Sequence, residues 1–346
     1  MNMYEWIDQT IADRWKKAAP LISYPAAQTL YIPVKEMVKD STQMAIGMYL
    51  IAEHYPQMAF APSYMDLSVE AEAFGAKTVY SDKDVPTVVG RLIETQEEAD
   101  ALRIPEVGEG RTAKCIETIQ KARKLITDRP VFANCAGPFS CAGRLLDVNE
   151  ILLLTLEDPD MVHTILEKTS AFILAFIKAF KAAGADGVIM AEPLAGLLSP
   201  SLMQEFSTDY VRKIVDEVQD ESFIVCYHNC ANRIESRAEQ VAATGARMFH
   251  FGEGANMVKL LETMPKDCII MGNVSPANVF NSSSGPWKMR RATQALMHSC
   301  IGFDNFVISS GCDVPGDTDW NNIKQFFLTV ELEYKKRMLM DKLSEN

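Results

Sequence analysis

Three residues set the chemistry open to this chain. His228 and Cys230, separated only by Asn229, close the stretch Ser222-Phe223-Ile224-Val225-Cys226-Tyr227, and Cys312 closes the stretch 305–311. Both stretches are short, apolar and rich in β-branched residues, the composition of a buried strand, so all three residues fall at C-terminal strand ends. Residues i and i+2 of an extended strand point to one side, so His228 and Cys230 can face one ion together. Cys312 can join them only through the fold, and in parallel α/β proteins strand ends do gather on one face. One imidazole and two thiolates form a soft set that favours Zn²⁺ over Mg²⁺ or Ca²⁺, with the fourth position left for a substrate. The residues alone also allow a plainer reading, two small core cysteines and a satisfied core histidine.

These residues need a frame to position them. From about residue 57 the chain alternates short apolar runs with helical stretches. The runs are Met58–Ala61, Val131–Ala136, Gly187–Ala191, Phe223–Tyr227, Ala246–Phe251, Cys268–Gly272 and Phe306–Ser310. The helical stretches include Ser68–Phe74, Asp158–Ala183, Ser201–Gln219, Arg233–Thr244 and Trp320–Leu343. Seven or eight strands alternating with helices predict a (β/α)8 TIM barrel of the α/β class. A doubly wound sheet is the main rival, but no G-x-G-x-x-G or P-loop follows any strand. Residues 1–346 read as one domain, with a helical extension over 1–55 (helices over Met3–Ala18 and Val34–His54) and the barrel over about 57–335.

A barrel would place Asp66, Asn134, Glu192, Glu253 and Asn273 around the same mouth, each following an apolar run. Glu192 could fill the open metal position or orient a substrate; it could equally cap a helix or pair with a cation. Asp66 could accept hydrogen bonds from a ligand, or cap the helix near Ser68. Asn134, Asn273 and Glu253 are candidate binding residues. His250 alternates with Met248 and reads as structural, while His54, His163 and His298 lie on helical stretches. Cys226, Cys268 and Cys300 sit inside apolar runs as core residues, and Cys115, Cys135 and Cys141 are not expected to ligate.

Composition narrows the partners. A formal net charge of −12, with no Lys/Arg run to offset it, makes nucleic acid an unsuitable partner. No apolar stretch reaches membrane-spanning length. The acidic N-terminus does not read as a signal peptide, so eight cysteines point to a reducing cytoplasm and free thiols.

Beyond these readings the chain resembles the uroporphyrinogen decarboxylase superfamily, and within it the zinc-dependent methylcobamide:thiol methyltransferases, over about residues 57–335. Gly184-Ala185-Asp186-Gly187 with Glu192-Pro193 is similar to the G-A-D-x strand and acidic-Pro turn of that superfamily. Leu198-Ser199-Pro200 with Phe206 and Tyr210 resembles its helix entry, Met203 replacing a Phe. Met271-Gly272-Asn273-Val274-Ser275-Pro276 and Gly311-Cys312 resemble two of its strand ends. The decarboxylases carry an arginine-rich N-terminal segment where this chain has Tyr24–Thr29, a histidine where it has Cys312, and a tyrosine where it has Arg144; only Asp66 matches their aspartate. The methyltransferase branch carries H-x-C and G-C, and both are present.

The resemblance implies zinc on His228, Cys230 and Cys312, with Glu192 as fourth ligand when no thiol is bound. It implies a small thiol held as a zinc thiolate, and a methyl group carried as methylcobamide on a separate corrinoid-binding protein, since the chain lacks a D-x-H-x-x-G motif. Transfer in the other direction, from a small methylated substrate onto the corrinoid, is the related possibility. The alternatives are a cofactor-free decarboxylase of the uroporphyrinogen type and a non-catalytic zinc- or ligand-binding member of the superfamily.

Overall fold

Seven short strands form one parallel sheet in strict chain order: β1 (Ala61–Pro62), β2 (Val131–Ala136), β3 (Gly187–Ala191), β4 (Ile224–Asn229), β5 (Met248–Phe251), β6 (Ile269–Val274) and β7 (Phe306–Ser310). The structure is a computed structural model that describes residues 1–281 and 285–344. Each strand is flanked by helical crossovers, and the sheet curls into a TIM-type barrel, the predicted class. β2 to β5 and β7 are buried along their whole length. Such burial on both faces explains why they read as continuous apolar runs rather than alternating ones.

The barrel interior is a distinct cluster of Phe60, Phe132, Ile189, Ile224, Cys226, Met248, Ile269, Met271 and Val307. These residues alternate along their strands with others that face the surrounding helices, as period-2 geometry requires. Met3 and Ile7 belong to the same cluster. They lie on the first helix, Met3–Ala12, whose Asn2 cap accepts from the N–H groups of Tyr4 and Glu5. Trp6 on that helix lies 6.4 Å, centroid to centroid, from Phe132. This helix therefore plugs the end of the barrel opposite the strand C-termini.

The next residues pair with the sheet. Ala18 bridges Met58 in parallel, and the Ala19 N–H donates to the Ile308 carbonyl at 2.9 Å. The segment around Ala18–Ala19 thus bonds to both margins of the seven-stranded sheet and supplies the missing stave. It was not predicted because Ala18-Ala19-Pro20-Leu21 carries neither alternation nor a β-branched run.

Several helices differ from expectation for local reasons. The predicted helix over Val34–His54 is two, Val34–Met37 and Ser41–His54, because Asp40 turns its carboxylate onto the Thr42 and Gln43 N–H groups and caps the second. The first helix ends at Ala12 rather than Ala18. Ser201–Gln219 is broken by a wide turn over Gln204–Thr208. Arg233–Thr244 starts on a left-handed Arg233, φ 60°, followed by two short pieces, Ile234–Arg237 and Ala238–Ala242. A small antiparallel ribbon, Thr78–Val79 with Thr87–Val88, was not foreseen. Among the described residues no helix is long and apolar enough to cross a membrane.

Candidate metal centre

Strand register explains how the site assembles. On β4, His228 follows the inward-facing Ile224 and Cys226 at spacing two, so its ring also points inward. The pairing of β4 with β5 sets His228 directly beside His250. The chain turns immediately after β4 because Asn229 uses both ends of its carboxamide: Nδ2 donates to the Glu192 carbonyl (2.6 Å) and Oδ1 accepts from the Ala231 N–H (2.9 Å). That Asx-type turn carries Cys230 at its centre. Gly252, after β5, lies so close to Cys230 that a Cβ there would sit 2.5 Å from the Cys230 Cα. Across the mouth, Gly311 is similarly packed against the Glu253 N–H and the Asn273 carbonyl, and brings Cys312 in.

The ligand-type atoms of His228, Cys230 and Cys312 all lie within 4.8 Å of one another. Cys312 Sγ is 3.6 Å from His228 Nε2. The hydrogen bond from Cys312 draws the Cys230 thiol down toward the thiolate, while the same contact and burial push Cys312 up. His228 is 1% exposed, while Cys230 and Cys312 are half-buried. The donor set thus suits a soft cation: an imidazole nitrogen and two sulfurs within 4.8 Å of one another. Zinc is the ion this set fits.

His250, expected to be structural, lies directly against the cluster. Its Nδ1 lies 2.6 Å from His228 Nδ1, and its Nε2 lies 2.9 Å from Ser309 Oγ and 2.8 Å from the Ser310 carbonyl. It is fully buried, and burial, with His228 beside it, holds its pKa well below the ordinary histidine range.

The other predicted residues are placed differently. Glu192 does not face the sulfurs. Its carboxylate is fully buried beneath the helix Pro138–Leu146, accepting from the Phe139 and Ser140 N–H groups, each at 2.7 Å, and from Ser207 Oγ at 3.4 Å. That is the capping alternative, and burial pushes its pKa up to about 7. Glu192→Ala would strand two buried N–H groups and is expected to cost about 2 kcal/mol in urea unfolding while leaving the metal content of the folded protein unchanged.

Asp66 likewise serves the fold. Oδ1 accepts from the Ser68 N–H (2.9 Å) and Oγ–H (2.5 Å), and Oδ2 pairs with Arg111 Nη1 at 2.5 Å. Arg111 was not singled out in the sequence. It also donates to Ser68 Oγ (2.7 Å) and pairs with Glu72 (2.8 Å). Asn273 donates to the Gly252 and Ala255 carbonyls, at 2.8 and 2.9 Å, and so ties the β5 loop to β6. Asn134 donates to the Ser63 carbonyl at 2.7 Å and keeps a buried Oδ1 without a partner. Glu253 is exposed on the loop after β5.

Glu70, absent from the predicted set, is a second buried carboxyl, on the helix Val69–Ala73. One oxygen accepts from the Ala136 N–H at 2.9 Å and the other has no partner. Burial pushes its pKa up to about 7 from an ordinary 4.5. A carboxyl that binds its proton more tightly folded than unfolded contributes stability fully below the unfolded pKa and loses it as pH rises through the folded one. Glu70→Gln, neutral throughout, should therefore gain about 1–3 kcal/mol on the native protein between pH 4.5 and pH 8. Urea unfolding at the two pH values measures the difference, which cancels any constant effect of the amide.

With the geometry in place, comparison with known proteins identifies the class. The family model "Uroporphyrinogen decarboxylase (URO-D)" matches residues 20–332, and the chain belongs to that family. Within it, the chain is similar to the methylcobamide:CoM methyltransferase MtbA of Methanosarcina mazei, 26% identical over 269 residues that cover 75% of this chain and 76% of the relative. It is similar to a uroporphyrinogen decarboxylase of Desulfotalea psychrophila, 26% identical over 219 residues, 62% of this chain and 63% of the relative. A solved methyltransferase structure from Methanosarcina mazei superposes with a TM-score of 0.83 at 20% identity, covering 96% of this chain and 98% of that one. That likeness supports the fold.

Proposed function

We propose that the protein is a zinc-dependent methyltransferase that moves a methyl group between a corrinoid carried on a separate protein and a small thiol. The observation that carries the reading is the His228–Cys230–Cys312 cluster, three soft donors converging at the strand C-termini, where barrel enzymes do their chemistry. The similarity to methylcobamide:CoM methyltransferases supports it.

A zinc ion held there would lower the pKa of a substrate thiol and keep it nucleophilic at neutral pH. The chain's own residues do the positioning. β4 presents His228 Nε2 and the Asn229 turn presents Cys230. The Gly311 approach presents Cys312, and both cysteines are half-buried rather than sealed in the core. In the transfer, the substrate sulfur forms a bond to the methyl carbon as the cobalt–carbon bond breaks; the bonding pair stays on cobalt and the thiol proton is released.

The decarboxylase reading is weaker. Asp66, the residue shared with decarboxylases, has both oxygens committed to Ser68 and Arg111. A porphyrinogen's carboxylates would also meet an acidic protein whose segment Tyr24–Thr29 contains no arginine.

The test is direct: the zinc-loaded full chain is incubated with methylcobalamin and coenzyme M, and the S-methyl product is followed by mass spectrometry alongside the cobalt spectrum. Zinc-dependent product supports the reading. No product with coenzyme M or with simple alkanethiols, together with carboxylate loss from a porphyrinogen by the metal-free chain, would replace it with the decarboxylase.

A further inference from the structure

The hydrogen bonds behind His228 have a fixed direction. The chain starts at the Ala19 carbonyl, which can only accept. Ser309 Oγ–H donates to it at 2.7 Å, so Ser309 Oγ faces His250 Nε2, 2.9 Å away, with its lone pairs. The Ser310 carbonyl, 2.8 Å from the same nitrogen, can also only accept. His250 Nε2 must therefore carry the proton. His250 is fully buried, with Ser309, Ser310 and His228 against its ring nitrogens, and an imidazole that carries its proton on Nε2 presents a lone pair at Nδ1 and accepts there. His228 Nδ1, at 2.6 Å, must then be the donor. The proton that His228 donates is thus on Nδ1, and its Nε2 is turned toward Cys312, 3.6 Å from Sγ.

We infer that His250 is a positioning residue that holds His228 in the Nδ1–H tautomer with Nε2 aimed at the metal position. The order originates in the Ser310 carbonyl, two residues before Cys312, and in the Ala19 carbonyl of the segment that completes the barrel. One relay therefore ties imidazole orientation to the strand that delivers the third ligand and to barrel closure. Outer partners of this kind on ligating histidines are usually carboxylates, carbonyls or waters. A second imidazole is an acceptor only while its own far nitrogen donates, so here the orienting group itself needs orienting.

The clause about the metal rests on the proposed zinc site; the tautomer assignment does not, and the experiment separates the two. With only five histidines in the chain, ¹⁵N-histidine labelling of the metal-free full-length protein at neutral pH gives a readable spectrum in which protonated and bare ring nitrogens are well resolved. The expected result is His228 protonated on Nδ1 and His250 on Nε2. In His250→Leu, His228 should lose that preference and zinc affinity, measured by chelator competition, should fall about 10–100-fold. His250→Asn, whose side-chain oxygen can still accept from Nδ1–H, should recover part of the loss. Ser309→Ala, which keeps the Ser310 carbonyl, should have a smaller effect, and it stands in if the leucine variant does not fold. His228 protonated on Nε2 in the native protein would overturn the inference, as would an unchanged His228 spectrum in His250→Leu. If the native protein binds no zinc, the metal reading fails while the spectrum still decides the relay.

Discussion

Cys312→Ala is expected to remove zinc from the protein and to abolish methyl transfer while leaving the fold intact. The residue is half-buried and packs only at the edge of the barrel-interior cluster, so its truncation should move the urea midpoint less than that of a fully buried residue. Its loss takes one of three donors from the site. The remaining His228 and Cys230 would leave two positions to solvent. Losing an outer-shell partner of a metal ligand already costs about 10–100-fold in affinity or activity, and loss of the ligand itself should exceed that. Cys226→Ala, equally a cysteine on the same side of β4 but wholly buried below the site, is the matched control. It should cost stability through the cavity it leaves and retain metal. A Cys312→Ala protein with full zinc and full activity would mean that the triad is a structural coincidence.

Arg111→Met carries the largest expected loss of stability. Arg111 and Asp66 have only 7% and 4% of their side chains exposed, so removing the guanidinium would leave a buried carboxylate without its counter-ion. Breaking one partner of a buried pair costs about 3–5 kcal/mol, chiefly for the stranded charge. The double variant Arg111→Met/Asp66→Asn should recover much of the loss. That recovery separates a structural Asp66 from a catalytic one: if Asp66 acted on substrate, Asp66→Asn alone would abolish activity without the coupling to Arg111. Urea unfolding of the four proteins in the cycle measures it.

The legibility of this chain follows from which signals are local. β2, β3 and β7 could be placed to the residue, since each is a short, mostly apolar run (VFANCA, GVIMA and FVISS) closed by Gly or a polar residue. The proximity of His228, Cys230 and Cys312 was readable because they lie at the ends of such runs. Glu192 was readable as important at its Glu-Pro turn but not in its direction: whether the side chain enters the barrel or slides under the neighbouring helix depends on the N-terminus of Pro138–Leu146, more than 50 residues earlier. His250 needed register. Its alternation with Met248 indicates that it faces inward, yet only the pairing of β4 with β5 reveals that its partner is His228. Arg111 and Ala19 carry no local pattern at all. One is a lone cation before a helix and the other an alanine in an irregular segment, and each acquires its role from residues far away in sequence.

The central claim is that His228, Cys230 and Cys312 hold a zinc ion with a position open to a thiol. Zinc-edge X-ray absorption on the purified full chain, with and without saturating coenzyme M, tests it most directly. The account predicts about one zinc per chain, ligated by two sulfurs and by nitrogen or oxygen, with a third sulfur entering when the thiol is added. A protein that takes up no zinc, or a zinc site whose sulfur count stays at two in saturating thiol, would contradict it.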